Sequence, residues 1–132
     1  AAVPTPTVVV MVVGAALVEI HVHGSQSLKQ KRGVVKSILA RVRNRFNVSV
    51  AEVGGQDTWQ RAVLGLALAG NEAPKVRAAL ERTLSFIEDL HLAEVRGCDI
   101  EILALPQEEA ALEDPDADEP LPWVSLPRPR ED

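Results

Sequence analysis

The residues of this sequence best suited to chemistry are seven lysines and arginines within the stretch 24–46, GSQSLKQKRGVVKSILARVRNRF. No acidic residue interrupts them. Clustered cations favour phosphate groups, because each contact releases counterions condensed on a nucleic acid. The stretch therefore predicts a nucleic-acid-binding surface. Its candidate residues are Lys29, Lys31, Arg32, Lys36, Arg41, Arg43 and Arg45.

The spacing of the apolar residues in this stretch indicates one amphipathic helix. Ser25 or Ser27 can cap its start, and apolar residues follow at three- and four-residue steps. The apolar stripe comprises Leu28, Val35, Ile38, Leu39, Val42 and Phe46. The cations predicted on the opposite face are Lys29, Arg32, Lys36 and Arg43, with the other three at its edges. A solvated face that only keeps the protein in solution is the alternative interpretation.

Two histidines come next as candidates for metal binding. His21 and His23 lie two residues apart on a predicted strand and so share one face. A metal site needs three or four converging ligands, and nothing in the spacing supplies a third. The candidates for it would be His91, Cys98, Asp57 and Glu52. We therefore predict structural histidines, no metal and no cofactor.

Polar residues also surround a predicted turn after residue 53. Glu52 and Asp57 could act as an acid and a base, but carboxylates near a tight turn more often stabilise the turn itself. No Ser/His/Asp or Cys/His arrangement has supporting spacing. We expect no catalytic residues, no enzymatic activity and no small-molecule substrate.

Composition places the 132 residues in the class of single soluble domains. Only four residues are aromatic and none is tyrosine, so base stacking on an aromatic platform is not expected. The single cysteine excludes an internal disulfide and is typical of a reducing cytoplasm, where we expect the protein to reside. The apolar run 8–18 is too short to span a bilayer, so no membrane association is predicted.

The charge is distributed unevenly. Residues 11–105 contain twelve Lys or Arg against ten Asp or Glu, and residues 106–132 contain two against nine. We predict a flexible leader over 1–10, a folded domain over 11–105 and a mostly disordered, acidic, Pro-rich tail over 106–132. The tail is interpreted either as a solubility segment or as an internal mimic of nucleic acid that rests on the basic helix.

Periodicity gives the element order β-α-β-β-α-β, with strands near 8–22, 47–53, 60–70 and 93–105 and a second helix capped by Asn71. That order predicts an α+β, ferredoxin-like fold with two helices on one face of a four-stranded antiparallel sheet. The first and third strands should be central. Their other face is too apolar for water, so we expect self-association through the sheet. The predicted interface residues are Trp59, Val13, Leu17 and Leu66.

Several short motifs occur in a specific order: SLKQKR at 27–32, FNVSVAE at 46–52 and DTWQRA at 57–62. In these motifs and in the strand end 19–24, residues 11–105 resemble the YlxP-like family, small bacterial proteins grouped as a domain of unknown function. The resemblance implies a ferredoxin-like fold. Family genes often lie among genes for translation initiation and ribosome maturation, which implies a ribosome or RNA role.

Together these observations predict a non-enzymatic ribosome- or RNA-associated protein whose first helix contacts the phosphate backbone. Its expected partners are ribosomal RNA or a ribosomal subunit. The alternative is an oligomeric protein-interaction module that works through its apolar sheet face or an edge strand.

Overall fold

The computed structural model describes residues 8–108, and side chains over 10–106. The elements are β1 (Val8–His21), α1 (Leu28–Arg45), β2 (Ser49–Gly54), β3 (Arg61–Gly70), α2 (Ala73–Asp89) and β4 (Glu94–Glu108). Most of the predicted leader and tail, and both interpretations of the tail, lie outside the described residues.

The four strands form one sheet in the order β2-β3-β1-β4. Strand β3 runs antiparallel to both β1 and β2, and Ile20 pairs with Ala62 in the first of these ladders. The predicted ferredoxin-like α+β fold is confirmed, with β1 and β3 at the centre. The last strand continues to Glu108, three residues beyond the predicted end.

The core lies between the helices and one side of the sheet. Alternate residues of β1 and β3 point into it, because side chains along a strand alternate between its two faces. Helices α1 and α2 contribute to the core the apolar residues that recur at three- and four-residue steps along each helix. Its fully or nearly fully buried members include Val18, Ile20, Val35, Ile38, Val42, Leu64, Leu66, Leu80 and Ile87. Burial of each such aliphatic side chain stabilises the folded state by about 1.5–3 kcal/mol relative to leaving it exposed.

Burial corrects one predicted interface residue. Leu66 is only 2% exposed and belongs to the core, so the prediction that it contacts a partner is wrong. The reason is the register of β3: Leu64 and Leu66 share the helix-facing side, whereas Gly65 and Ala67 take the other.

The two helices begin differently. Ser27 caps α1, since its hydroxyl oxygen accepts a hydrogen bond from the backbone N–H of Gln30 at 3.1 Å. Helix α2 has Glu72 at its N-cap and no side-chain hydrogen bond there. The predicted cap, Asn71, is therefore wrong by one residue, because the chain turns into the helix after Glu72.

Candidate polyanion-binding surface

Four exposed cations form a line along α1, and we call Lys29, Arg32, Lys36 and Arg43 the basic stripe. At 100° per residue these positions fall within an arc of about 60° and extend about 21 Å along the helix axis. Among the side chains described over 10–106, no acidic group lies within ion-pairing distance of any of the four. In the part of the chain whose side chains are described, the stripe is therefore a line of positive charge without an acidic counterpart.

The stripe lies on the side of α1 nearer the edge strand β2. The Nη2 of Arg43 donates a hydrogen bond to the carbonyl oxygen of Val50 in β2 at 2.9 Å. This bond fixes the side chain of Arg43, the last member of the stripe. It also occupies one carbonyl group of an edge strand, where unpaired backbone groups can hydrogen-bond to a strand of another chain.

Two further predicted cations are exposed but lie apart from the stripe. The Nε of Arg41 donates to the hydroxyl oxygen of Ser37 at 3.2 Å. The guanidinium of Arg45 lies 5.4 Å from the ring centroid of Phe86 in α2. On the helical wheel both belong to the opposite flank of α1, so one ligand lying along the stripe would not meet them.

The seventh predicted residue, Lys31, is not on the surface. It is fully buried, and its Nζ donates to the carbonyl oxygens of Gly55 at 2.5 Å, Arg61 at 3.3 Å and Gln56 at 3.4 Å. A carboxylate oxygen of Glu52 lies 3.4 Å away. The prediction that Lys31 contacts a nucleic acid is therefore wrong: it clamps the β2–β3 turn to α1.

A signal for this burial is present in the sequence. Lys31 precedes Val35 by four residues and Ile38 by seven, which is the spacing of one helix face. An ammonium at such a position needs hydrogen-bond acceptors, because a buried charge is costly without them. The carbonyl groups of the turn between two strands supply them.

The motif DTWQRA at 57–62 is explained by the same corner of the fold. The side-chain amide of Gln60 donates to the carbonyl oxygen of Ser25 at 3.3 Å, and the backbone carbonyl oxygen of Gln60 accepts from the backbone N–H of Val22 at 2.7 Å. Arg61 pairs with Glu19 at 2.6 Å. The motif therefore holds the turn, the end of β1 and the start of α1 together.

The two carboxylates considered for acid–base chemistry have different environments. Glu52 is half-buried beside the Lys31 ammonium, and Asp57 is exposed in the turn. Trp59, a predicted interface residue in the same turn, is 55% exposed.

The two histidines lie at the carboxyl end of β1, with His21 its last residue and His23 two residues beyond. The rings of His21 and His23 meet edge to face with centroids 4.4 Å apart, and His23 donates to the carboxylate of Glu94. Among the side chains of residues 10–106, no three His, Cys, Asp or Glu groups converge to hold a metal. Desolvation of the ring, with the positive charges of Arg96 and His23, lowers the pKa of His21 below its ordinary 6.5, and Glu94 opposes this.

The side of the sheet opposite the helices forms a second surface, which we call the open sheet face. It contains a groove of about 690 Å³ whose lining includes Ala15, Leu17, Ala51, Val53, Gly65, Ala67, Asp99 and Glu101. None of the four strands contains Phe, Tyr or Trp. Described helices offer no segment long and apolar enough to cross a membrane.

Most of the chain is similar to one described protein family. Residues 13–100 match a family described as "Protein of unknown function (DUF503)". The chain belongs to this family. Over 76 residues this DUF503 member is also 45% identical to the "Uncharacterized protein YlxP" of Bacillus subtilis (strain 168), covering 58% of this chain and 83% of that protein. The predicted membership of the YlxP-like family is confirmed.

Solved structures resemble the DUF503 member weakly. A de novo designed protein, Foldit4, is 18% identical with a TM-score of 0.40, covering 72% of this chain and 96% of its own. The second is the apo form of LarC2, the C-terminal domain of a cyclometallase involved in the synthesis of the NPN cofactor of lactate racemase. It is 11% identical with a TM-score of 0.33, and the match covers 75% of this chain and 58% of LarC2. Neither similarity bears on function.

Proposed function

We propose that this protein is a non-enzymatic RNA-associated protein that contacts the phosphate backbone of ribosomal or other RNA through the basic stripe. The observation that carries the proposal is the line of four exposed cations with no acidic partner among the side chains of residues 10–106. An RNA strand presents a matching line of negative charges, and neutralising them releases counterions.

The energetics of the free helix support this function. Lys29 and Arg32 are three residues apart, and Arg32 and Lys36 are four apart, so like charges are neighbours on the helix surface. Each such pair destabilises a helix by about 0.2–0.5 kcal/mol. A phosphate bound between them turns that repulsion into attraction, so the arrangement favours the bound state.

The composition of the sheet favours backbone contact over base reading. RNA-binding sheets usually stack bases on aromatic side chains, whereas the strands of this sheet contain none. Lysine and arginine contacts to phosphate position a protein on RNA without reading its sequence. Binding by the stripe should therefore depend on RNA shape and on salt.

The test is a matched pair of charge reversals on the two helices. One variant carries Lys29→Glu, Arg32→Glu and Lys36→Glu in the stripe, and the control carries Lys75→Glu, Arg77→Glu and Arg82→Glu on the exposed face of α2. Both lose the same net charge. We expect the first to lose co-sedimentation with ribosomal particles and the second to keep most of it.

Two results would refute the proposal. One is co-sedimentation of the stripe variant at the wild-type level. The other is an equal loss in both variants, since that would show an effect of net charge alone. Far-ultraviolet circular dichroism of each variant confirms that the fold is intact before binding is compared.

A further inference from the structure

The open sheet face presents large aliphatic side chains to solvent. Leu17 is 50% exposed and Val53 52%, and on β4 Leu103 and Leu105 are 62% and 59% exposed. Apolar side chains exposed singly are normal, whereas a contiguous apolar patch of several hundred Å² marks an interaction site. Leu17 and Val53 line the same groove, so here they form one patch.

The area of the face is that of a protein interface. Four strands spaced about 4.8 Å apart, with about ten residues at about 3.3 Å each, give a face of about 600 Å². A standard interface buries about 800 Å² on each partner. Two copies of the open sheet face together would bury about 1,200 Å², which is the lower end of the range of about 1,200–2,000 Å² for specific interfaces.

The relief of the face is complementary to itself. Leu17 and Val53 project beside Gly65, and the small residues Ala15 and Ala67, which pair with each other at the next position of the same face, form a lower floor alongside them. Val53 already lies over Gly65, since its Cγ1 is 3.1 Å from where a β-carbon of Gly65 would lie. Projections and a recessed floor on one surface are what a two-fold interface requires, because residue i of one copy meets residue j of the other and the reverse.

The charged residues of the groove do not oppose such packing. Asp99 and Glu101 belong to β4, an edge strand, so they lie toward one border of the face. Charged residues are normally confined to the hydrated rim of an interface, around an apolar centre. Arg61, the first residue of β3, is already paired with the Glu19 carboxylate.

From these observations we infer that the open sheet face is a homodimer interface, and that its occupant is the same face of a second copy of this chain. The two sheets pack about 10 Å apart, with Leu17 of each copy over the small-residue floor of the other. Both helix layers then face outward, so each basic stripe remains available. The inference does not depend on RNA binding.

Sedimentation equilibrium of the full chain tests the inference. We compare the wild-type protein with Leu17→Glu and Val53→Glu, and use Ser85→Glu, an exposed position on α2, as the matched control. The wild type and the control should be dimers. Each face variant should weaken the dimer on the order of 100-fold, since a two-fold interface contains every substitution twice.

Because Leu17 and Val53 are half exposed in the single chain, their replacement should leave the thermal midpoint of the dilute monomer nearly unchanged. A wild-type chain that stays monomeric at all concentrations would overturn the inference, whatever else covers the face. Undiminished dimerisation of both face variants would do the same, since the dimer would then use another surface.

Discussion

Helices α1 and α2 have nearly the same length, 18 and 17 residues, and both bury an apolar stripe against the same sheet. Their outer faces differ. That of α1 contains the basic stripe and no acid, whereas that of α2 mixes both signs and pairs Lys75 with Glu72 at 2.6 Å. Since α2 shows that this fold does not need segregated charge, the surface of α1 supports the proposal that α1 binds RNA.

The helices are also attached to the sheet in different ways. Helix α1 is clamped to the β2–β3 turn by the buried ammonium of Lys31. Helix α2 lies directly against the backbone of β1: a β-carbon on Gly14 would come within 2.5 Å of Val76 Cγ1 and 2.9 Å of Leu80 Cδ1. The first attachment is a set of polar contacts to one turn, and the second depends on close packing.

The largest effect is expected at the clamp. Lys31→Met keeps the side-chain volume and removes only the charge. It should lower the free energy of unfolding by about 3 kcal/mol, because the Glu52 carboxylate and three carbonyl groups lose their cation. Lys36→Met, in the exposed stripe, should change it by less than about 0.5 kcal/mol. Urea unfolding measures both, and equal effects would show that Lys31 is not a clamp.

Close packing under α2 predicts opposite signs for one substitution at two glycines. Gly14→Ala should destabilise the protein by about 1–3 kcal/mol, because the added methyl group overlaps Val76 and Leu80. Gly33 lies in α1 with nothing within 4 Å of an added β-carbon, so Gly33→Ala should stabilise by about 0.5–1 kcal/mol. A stable Gly14→Ala variant would show that α2 can shift away from β1 at little cost.

The helix starts give a smaller contrast. Ser27→Ala removes the cap of α1 and should cost about 1 kcal/mol. Glu72→Ser adds a capping hydroxyl to α2, which has no side-chain cap, and should gain about 0.5 kcal/mol. Chemical denaturation can resolve both, and a loss on Glu72→Ser would mean that its pairing with Lys75 outweighs a cap.

The smallest effect concerns pH. The folded-state pKa of His21 is lowered, so the unfolded chain binds the proton more readily and stability falls as pH drops from 6.5 through the folded-state value. Glu94→Gln should lower the pKa of His21 further, because it removes the charge that opposes the shift. NMR titration of the imidazole measures this, and a wild-type pKa at or above 6.5 would contradict it.

Sequence periodicity was enough to predict the fold. The apolar residues of α2, Val76, Leu80, Leu84 and Ile87, recur at helical spacing and are all buried. The strand order followed from right-handed crossovers and the short β2–β3 connection. These features are local or topological, so the chain itself specifies them.

Features that depend on strand register or on tertiary contacts were harder to predict from the sequence. Both faces of β3 are apolar in sequence, so only the register assigns Leu66 to the core. The charge of Lys31 masked its helical spacing, because the acceptors that allow its burial lie 24 to 30 residues away. The line of four cations was predicted, whereas the position of Arg45 over the Phe86 ring depends on α2.

The most direct test of the central claim is the salt dependence of RNA affinity, measured with wild-type protein and the two triple variants. Four phosphate contacts predict a slope of log K against log salt of about −2.8 for single-stranded RNA, at about −0.7 per contact. The α1 variant should lose most of that slope, and the α2 variant should retain it. A wild-type slope near zero, or one that the α1 and α2 reversals flatten equally, would contradict the assignment of RNA binding to the basic stripe.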